Sequence, residues 1–211
     1  MNRKTIIVDL DNCVYDFVLA FATWLDKNGA LDRLRPPPDT TIPGTFRLEM
    51  SRVSNAMNLY SQWNIWDDWN IPKGEFMRWW RLGIEAEEIY ANGPLIPGAR
   101  EALWKLSDGE WSIYLATSRL TKFGAFDKIV ANTAKWLNKN NIPYRDLAFT
   151  TQKTNMIADA IVDDRADNMS YKVHNKRFLF PAPHNKAEQE EYGLGVSQYC
   201  IDWPEIVEAL L

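Results

Sequence analysis

Thr5-Ile6-Ile7-Val8-Asp9-Leu10-Asp11-Asn12-Cys13-Val14-Tyr15-Asp16 decides how the rest of the chain is read. A continuous apolar run, Ile6 to Val8, ends abruptly in carboxylates. Such a run, bounded by polar residues, suits a strand buried on both faces, as in a parallel sheet. Functional groups in these sheets sit just past the carboxyl ends of the strands, where Asp9 and Asp11 fall. Two acids two apart on an extended segment point the same way. Their repulsion is relieved by a cation or a shared proton. Asp-x-Asp at a strand end therefore suggests a magnesium site that holds a phosphate. The alternative is a polar turn after an edge strand, because Asp and Asn are common turn residues.

Beyond this strand the pattern changes. Phe17, Phe21, Trp24 and Leu25 recur at helical spacing, predicting a helix over 16–30 that Gly29 can close. Pro36, Pro37, Pro38 and Pro43 mark a loop over 35–44. A second helix is expected over 46–63. Pro72 opens a third, which runs to Tyr90, with Gly93 beyond its end. Residues 17–93 thus read as helical and aromatic, with no strand pattern. Six of the ten tryptophans lie there: Trp24, Trp63, Trp66, Trp69, Trp79 and Trp80. This segment reads as an inserted cap.

From residue 94 strands and helices alternate. Strands are expected at 111–116, 147–149, 160–162 and 177–180, and helices at 97–106, 126–138 and 205–211. The alternation implies an α/β fold, a parallel sheet with right-handed crossovers. Residues 1–16 and 94–211 would form this core, with 17–93 as the cap.

Composition bounds the rest. The chain has 211 residues, a net charge of −4 and two cysteines, Cys13 and Cys200. The charge argues against a duplex nucleic-acid partner and against an anionic membrane surface. Arg119, Lys122 and Lys128 form only a small local cluster. Two cysteines make no disulfide framework, which suits a reducing compartment. The N-terminal apolar run is too short for a signal peptide, and no apolar stretch is long enough to span a bilayer. The expectation is a cytoplasmic protein. Cys13 reads as a small packed residue rather than a nucleophile.

The strand ends carry a coherent set of groups. The first strand supplies Asp9 and Asp11, and the strand at 111 supplies Thr117 and Ser118. The segment after 147 supplies Lys153, and the strand at 160 supplies Asp163 and Asp164. In a parallel sheet these ends share one edge. Carboxylates suit a divalent cation, hydroxyls suit phosphate oxygens, and an ammonium offsets the remaining charge. Each also has a bland alternative, such as a helix cap for the Thr-Ser step or a solvated surface Lys.

On these residues the chain resembles the haloacid dehalogenase (HAD) superfamily of phosphohydrolases. Asp9-Leu10-Asp11-Asn12-Cys13-Val14, Thr117-Ser118, Lys153 and Asp163-Asp164 fit its four motifs in order. It is closer still to the 5'(3')-deoxyribonucleotidases, through Asp16-Phe17, Pro94-Leu95-Ile96-Pro97-Gly98, Lys153-Thr154 and Ile161-Val162-Asp163-Asp164-Arg165. Two positions depart from the pattern. Asn12 replaces the usual Gly, and Arg119 replaces the usual Pro and adds a cation near the site.

The resemblance implies a Rossmann-like HAD core and a magnesium-dependent phosphomonoesterase acting through a phosphoaspartate. Asp9 would be the nucleophile and Asp11 the general acid and base. Mg2+ would be held by Asp9, the backbone carbonyl of Asp11, and Asp163 or Asp164. Thr117, Ser118 and Lys153 would bind phosphate. Phe17 matches the position that contacts the base, Trp79 and Trp80 are further substrate-binding candidates from composition, and Arg119 is one as the added cation. The implied substrate is a small phosphomonoester, a nucleoside or deoxynucleoside monophosphate. Another small phosphomonoester, or a non-catalytic phosphate-binding role, is the alternative. Related proteins are often homodimers.

Overall fold

The computed structural model describes residues 3–31, 52–119, 125–186, 198–199 and 202–211. The proline-rich stretch at 35–44, Cys200, Lys122 and the first part of the helix expected from residue 46 lie outside them.

Six parallel strands form one sheet in the order β3-β2-β1-β4-β5-β6. They are β1 (Lys4–Val8), β2 (Trp111–Thr117), β3 (Asp146–Phe149), β4 (Ala158–Asp163), β5 (His174–Leu179) and β6 (Gln198–Tyr199). β1 is central, with Val8 in register with Leu115 on one side and Val162 on the other. Ile6, Ile7 and Val8 are all buried, as a strand covered on both faces requires. The two-residue strand β6 carries no apolar run and was not expected from the sequence.

Helices α1 (Phe17–Lys27), α2 (Arg52–Leu59), α3 (Ile65–Asp68) and α4 (Lys73–Glu85) lie in sequence between β1 and β2. Asp16 starts α1 by accepting the Leu19 amide at 3.0 Å. Phe17, Val18, Phe21 and Leu25 bury its apolar face. α4 stops at Glu85, short of the expected Tyr90, because Glu87 and Tyr90 take left-handed angles (φ 58° and 68°). The remaining α-helices among the described residues are α5 (Ala99–Asp108), α6 (Phe126–Lys139) and α7 (Trp203–Leu210).

The chain leaves and rejoins the sheet layer at one place. The Asp16 amide donates to the Pro94 carbonyl at 3.0 Å, and Ile96 donates to Val14 at 2.8 Å. Gly93 is required there, because a Cβ would sit 2.2 Å from the Tyr15 ring.

Candidate active site

The loop after β1 is tightly wound. The Leu10 carbonyl accepts the amides of Cys13, Val14 and Tyr15, and Trp203 donates its indole N–H to the Cys13 carbonyl at 2.8 Å. Asn12 sits at the crest with φ 61°, a left-handed angle that Asn tolerates better than most residues. Its side chain donates to Asp164 Oδ2 at 2.9 Å. The residue that departs from the usual Gly therefore also ties the first strand's loop to the fourth's.

Asp9 follows β1, Thr117 ends β2, Lys153 opens a short 3-10 helix after β3, and Asp163 ends β4. All lie at the same edge of the sheet. Lys153 Nζ stands 2.7 Å from Asp9 Oδ1 and 2.7 Å from Asp163 Oδ2. The side chain is buried and only 1% exposed. Burial alone would lower its pKa, but the carboxylates of Asp9 and Asp163 outweigh burial and raise it. Asp163 Oδ1 accepts the Arg165 amide at 3.0 Å and the Asn168 side chain at 2.9 Å, so both its oxygens are engaged.

Asp9 and Asp164 differ from Asp163. Asp9 Oδ1 is buried and lacks a well-aligned hydrogen bond; its contact with Lys153 is an ion pair off the bonding angle. Burial pushes its carboxyl up to about 7 against the pull of Lys153, and Asp163 and Asp11 add to the rise. Asp164 is also raised, first by burial and then by Asp9 and Asp163. Ligand atoms of Asp9, Asp164 and Cys13 lie within 4.8 Å of one another. Two buried carboxylates facing each other, one with an oxygen lacking an aligned partner, fit a hard divalent cation. Burial and the surrounding carboxylates keep the Cys13 thiol protonated, so it acts as packing.

Asp11 is paired with Arg119. Arg119 Nε lies 3.1 and 3.0 Å from the two Asp11 oxygens, and Nη2 lies 2.7 Å from Oδ1. Its remaining nitrogen donates to Thr133 Oγ1 at 3.0 Å. The guanidinium lies over the rings of both Tyr90 and Tyr15, at 4.1 and 4.7 Å, which meet at an angle beside it. The Asp11 side chain is thus committed to Arg119, leaving its backbone carbonyl as the atom free for a cation.

A cavity of about 170 Å³ opens above these groups. Asp9, Asp11, Asn12, Ser118, Arg119 and Asp164 form its floor. Phe17, Ile65, Trp66, Phe76, Trp80 and Tyr90 are among its apolar walls. The rings of Phe17 and Trp80 lie 5.2 Å apart.

Three of the residues expected to bind phosphate or substrate lie away from the cavity wall. Trp79 does not line the cavity, since successive helical residues point about 100° apart and Trp80 takes that direction. The Trp79 carbonyl instead accepts the Trp24 indole N–H at 3.1 Å. Thr117 is fully buried, and its hydroxyl lies 3.4 Å from the Arg119 amide, so Ser118 alone of that pair reaches the cavity. Lys153 lies behind Asp9 rather than in the wall.

Sequence reasoning missed His184 and Tyr60. His184 follows β5 at the same edge, with Nε2 3.2 Å from the Asp164 carbonyl and 3.4 Å from its Oδ2. Burial lowers its pKa to about 4, so it is neutral. The Pro181 and Pro183 turn after the last predicted strand was the available signal. Nothing in the local sequence singles out Tyr60. The other histidine, His174, begins β5 at the opposite edge.

The model of the family "5' nucleotidase, deoxy (Pyrimidine), cytosolic type C protein" matches residues 51–200, more than half of the chain. The chain belongs to that family. A curated "Putative 5'(3')-deoxyribonucleotidase" from Chlorobaculum tepidum is 34% identical over 90 residues, covering 43% of this chain and 45% of that protein. The chain thus aligns with less than half the length of this relative. Among solved structures, the "putative HAD-hydrolase YfnB" of Bacillus subtilis, bound to magnesium, superposes with a TM-score of 0.53 at 15% identity. That match covers 100% of this chain and 99% of the other. A haloacid dehalogenase-like hydrolase from Streptococcus pneumoniae gives a TM-score of 0.52 at 15% identity, covering 100% and 99%. These likenesses establish the HAD-like fold. No helix among the described residues is long and apolar enough to cross a membrane.

Proposed function

We propose that this protein is a Mg2+-dependent phosphomonoesterase acting on nucleoside or deoxynucleoside monophosphates. The observation that carries the reading is the floor of the cavity. A buried carboxylate, Asp9, backed by the Lys153 ammonium, faces a second buried acid, Asp164, beneath an aromatic chamber. Family membership and the name of the Chlorobaculum relative support the substrate class.

Asp9, Asp164 and the Asp11 carbonyl would hold the cation. Asp163 serves instead as the counter-charge of Lys153, since both its oxygens are engaged. When bound, the metal neutralises charge so that a carboxylate can approach a phosphate dianion. An Asp9 oxygen attacks phosphorus and the bond to the leaving oxygen breaks, giving a phosphoaspartate. Asp11 would take up a proton as it turns from Arg119 toward the substrate, give it to the leaving alkoxide, then take one from the water that hydrolyses the intermediate. In the free protein Arg119 orients Asp11 at the cavity floor. Ser118, whose hydroxyl donates to the Thr150 carbonyl at 3.2 Å in the free protein, would turn to donate to a transferring phosphate oxygen.

Residues 17–93 would serve as a cap that selects the leaving group. Phe17 and Trp80 offer ring faces, and stacking on one is worth about 1–3 kcal/mol per base. The test is phosphate release from a panel of deoxynucleotides, ribonucleotides and sugar phosphates, with Mg2+ and with chelator. Deoxynucleotides or ribonucleotides should be hydrolysed fastest, and only with metal. A sugar phosphate that outperforms every nucleotide would overturn the substrate class, and turnover undiminished by chelator would overturn the metal requirement.

A further inference from the structure

Tyr60, just past the end of α2 and lining the cavity, reaches His184 on the sheet side. Its hydroxyl bonds His184 Nδ1. The other ring nitrogen, Nε2, lies 3.2 Å from the Asp164 carbonyl and 3.4 Å from Asp164 Oδ2. The partners fix the proton positions. A carbonyl only accepts, so Nε2 carries the hydrogen, Nδ1 offers a lone pair, and Tyr60 must donate. The line therefore runs one way, from Tyr60 O–H to Nδ1 and from Nε2–H to Asp164.

Asp164 is otherwise held by few groups. Asn12 donates to its Oδ2 at 2.9 Å, and Asn185 donates to its carbonyl at 2.7 Å. Trp63 packs edge-on against the imidazole with centroids 5.1 Å apart, and Arg165 stacks on that indole at 4.4 Å. The histidine is thus clasped between the segment at 60–63 and the acid that faces Asp9.

We propose that His184 is a positioning residue that sets Asp164 for the divalent cation and couples metal binding to the seating of residues 52–63. This rests on the active-site reading above. An outer partner that orients a ligating carboxylate usually changes metal affinity about 10–100-fold. Coupling is reciprocal, so the cation must in turn steady the segment that carries Tyr60.

The test measures Mg2+ binding to the full chain by titration calorimetry, without substrate. His184→Ala should weaken Mg2+ by about 10–100-fold. His184→Gln keeps a donor near the Nε2 position and should recover part of that loss. Tyr60→Phe keeps the ring and should weaken Mg2+ by about 2–10-fold, with the metal-free melting temperature little changed. It keeps the test decisive if His184→Ala does not fold. Hydrogen exchange at 52–60 should slow on adding Mg2+ in the wild type and respond less in Tyr60→Phe. Equal Mg2+ affinity in the wild type, His184→Gln and Tyr60→Phe, with no protection of 52–60, would overturn this inference alone. A wild type that binds no Mg2+ would overturn the active-site reading and this inference with it.

Discussion

The two ends of the cavity are built on different principles. Its floor is held by directional bonds. Lys153 is pinned between two carboxylates, Arg119 forks onto Asp11, and Asn12 reaches across to Asp164. Its walls are held by packing, with ring pairs such as Phe17–Phe21, Phe21–Phe76 and Phe17–Trp80 at 4.7–5.8 Å. Bonds of the first kind fail steeply when one partner is removed, because a buried charge is left alone. Contacts of the second kind fail gradually, by lost area. The floor should therefore tolerate almost no substitution, and the walls should tolerate many at graded cost.

The largest expected effect is at Asp9, the proposed nucleophile. Asp9→Asn should reduce phosphate release by at least about 10⁴-fold, as loss of a nucleophile does elsewhere. Its circular-dichroism spectrum should match the wild type. Turnover within tenfold of wild type would mean that the floor does not perform the chemistry.

Next comes the buried cation. Lys153→Met removes the shared partner of Asp9 and Asp163 and should cost the metal-free protein about 3–5 kcal/mol, read by urea unfolding. A cost below about 1 kcal/mol, the scale of an exposed ion pair, would remove the contrast between floor and walls.

The walls should respond less. Trp80→Leu should raise KM for a nucleotide by about 10-fold, from loss of one stacking face, with kcat changed little. Trp79→Leu, one residue away but outside the cavity, should change KM by less than about twofold. Equal effects at both positions would mean that stacking does not distinguish them.

The smallest effect concerns pH. The folded pKa of Asp9, about 7, lies above its unfolded value of 3.8. Between those values the native state binds more protons than the unfolded chain. Its stabilising contribution is thus complete below 3.8 and disappears as pH rises through 7. The melting temperature of metal-free Asp9→Asn, relative to wild type, should climb from pH 5 to pH 8. A constant difference would show that Asp9 ionises in the fold as it does unfolded.

This contrast also explains what the sequence could disclose. Asp9, Lys153, Asp163 and Asp164 were legible because a parallel sheet brings its carboxyl ends together, so order along the chain predicts proximity. The strands around them were legible because both faces are apolar. Arg119 was visible as a cation near the site, but its grip on Asp11 depends on Tyr15, Tyr90 and Thr133, which are far apart in sequence. Trp79 and Trp80 could not be told apart by composition, since only the rotation of α4 decides which ring meets the cavity. His184 and Tyr60 are 124 positions apart, and no local period links them.

The crossing at Asp16 and Pro94 has a consequence for how such a chain can diversify. The outgoing and returning backbones are already hydrogen-bonded neighbours, fixed to the sheet by Val14 and Ile96. Whatever is threaded between them adds no loop-closure demand on the layer beneath. A graft made at this doorway could exchange one chamber for another and leave the carboxylate floor below unaltered.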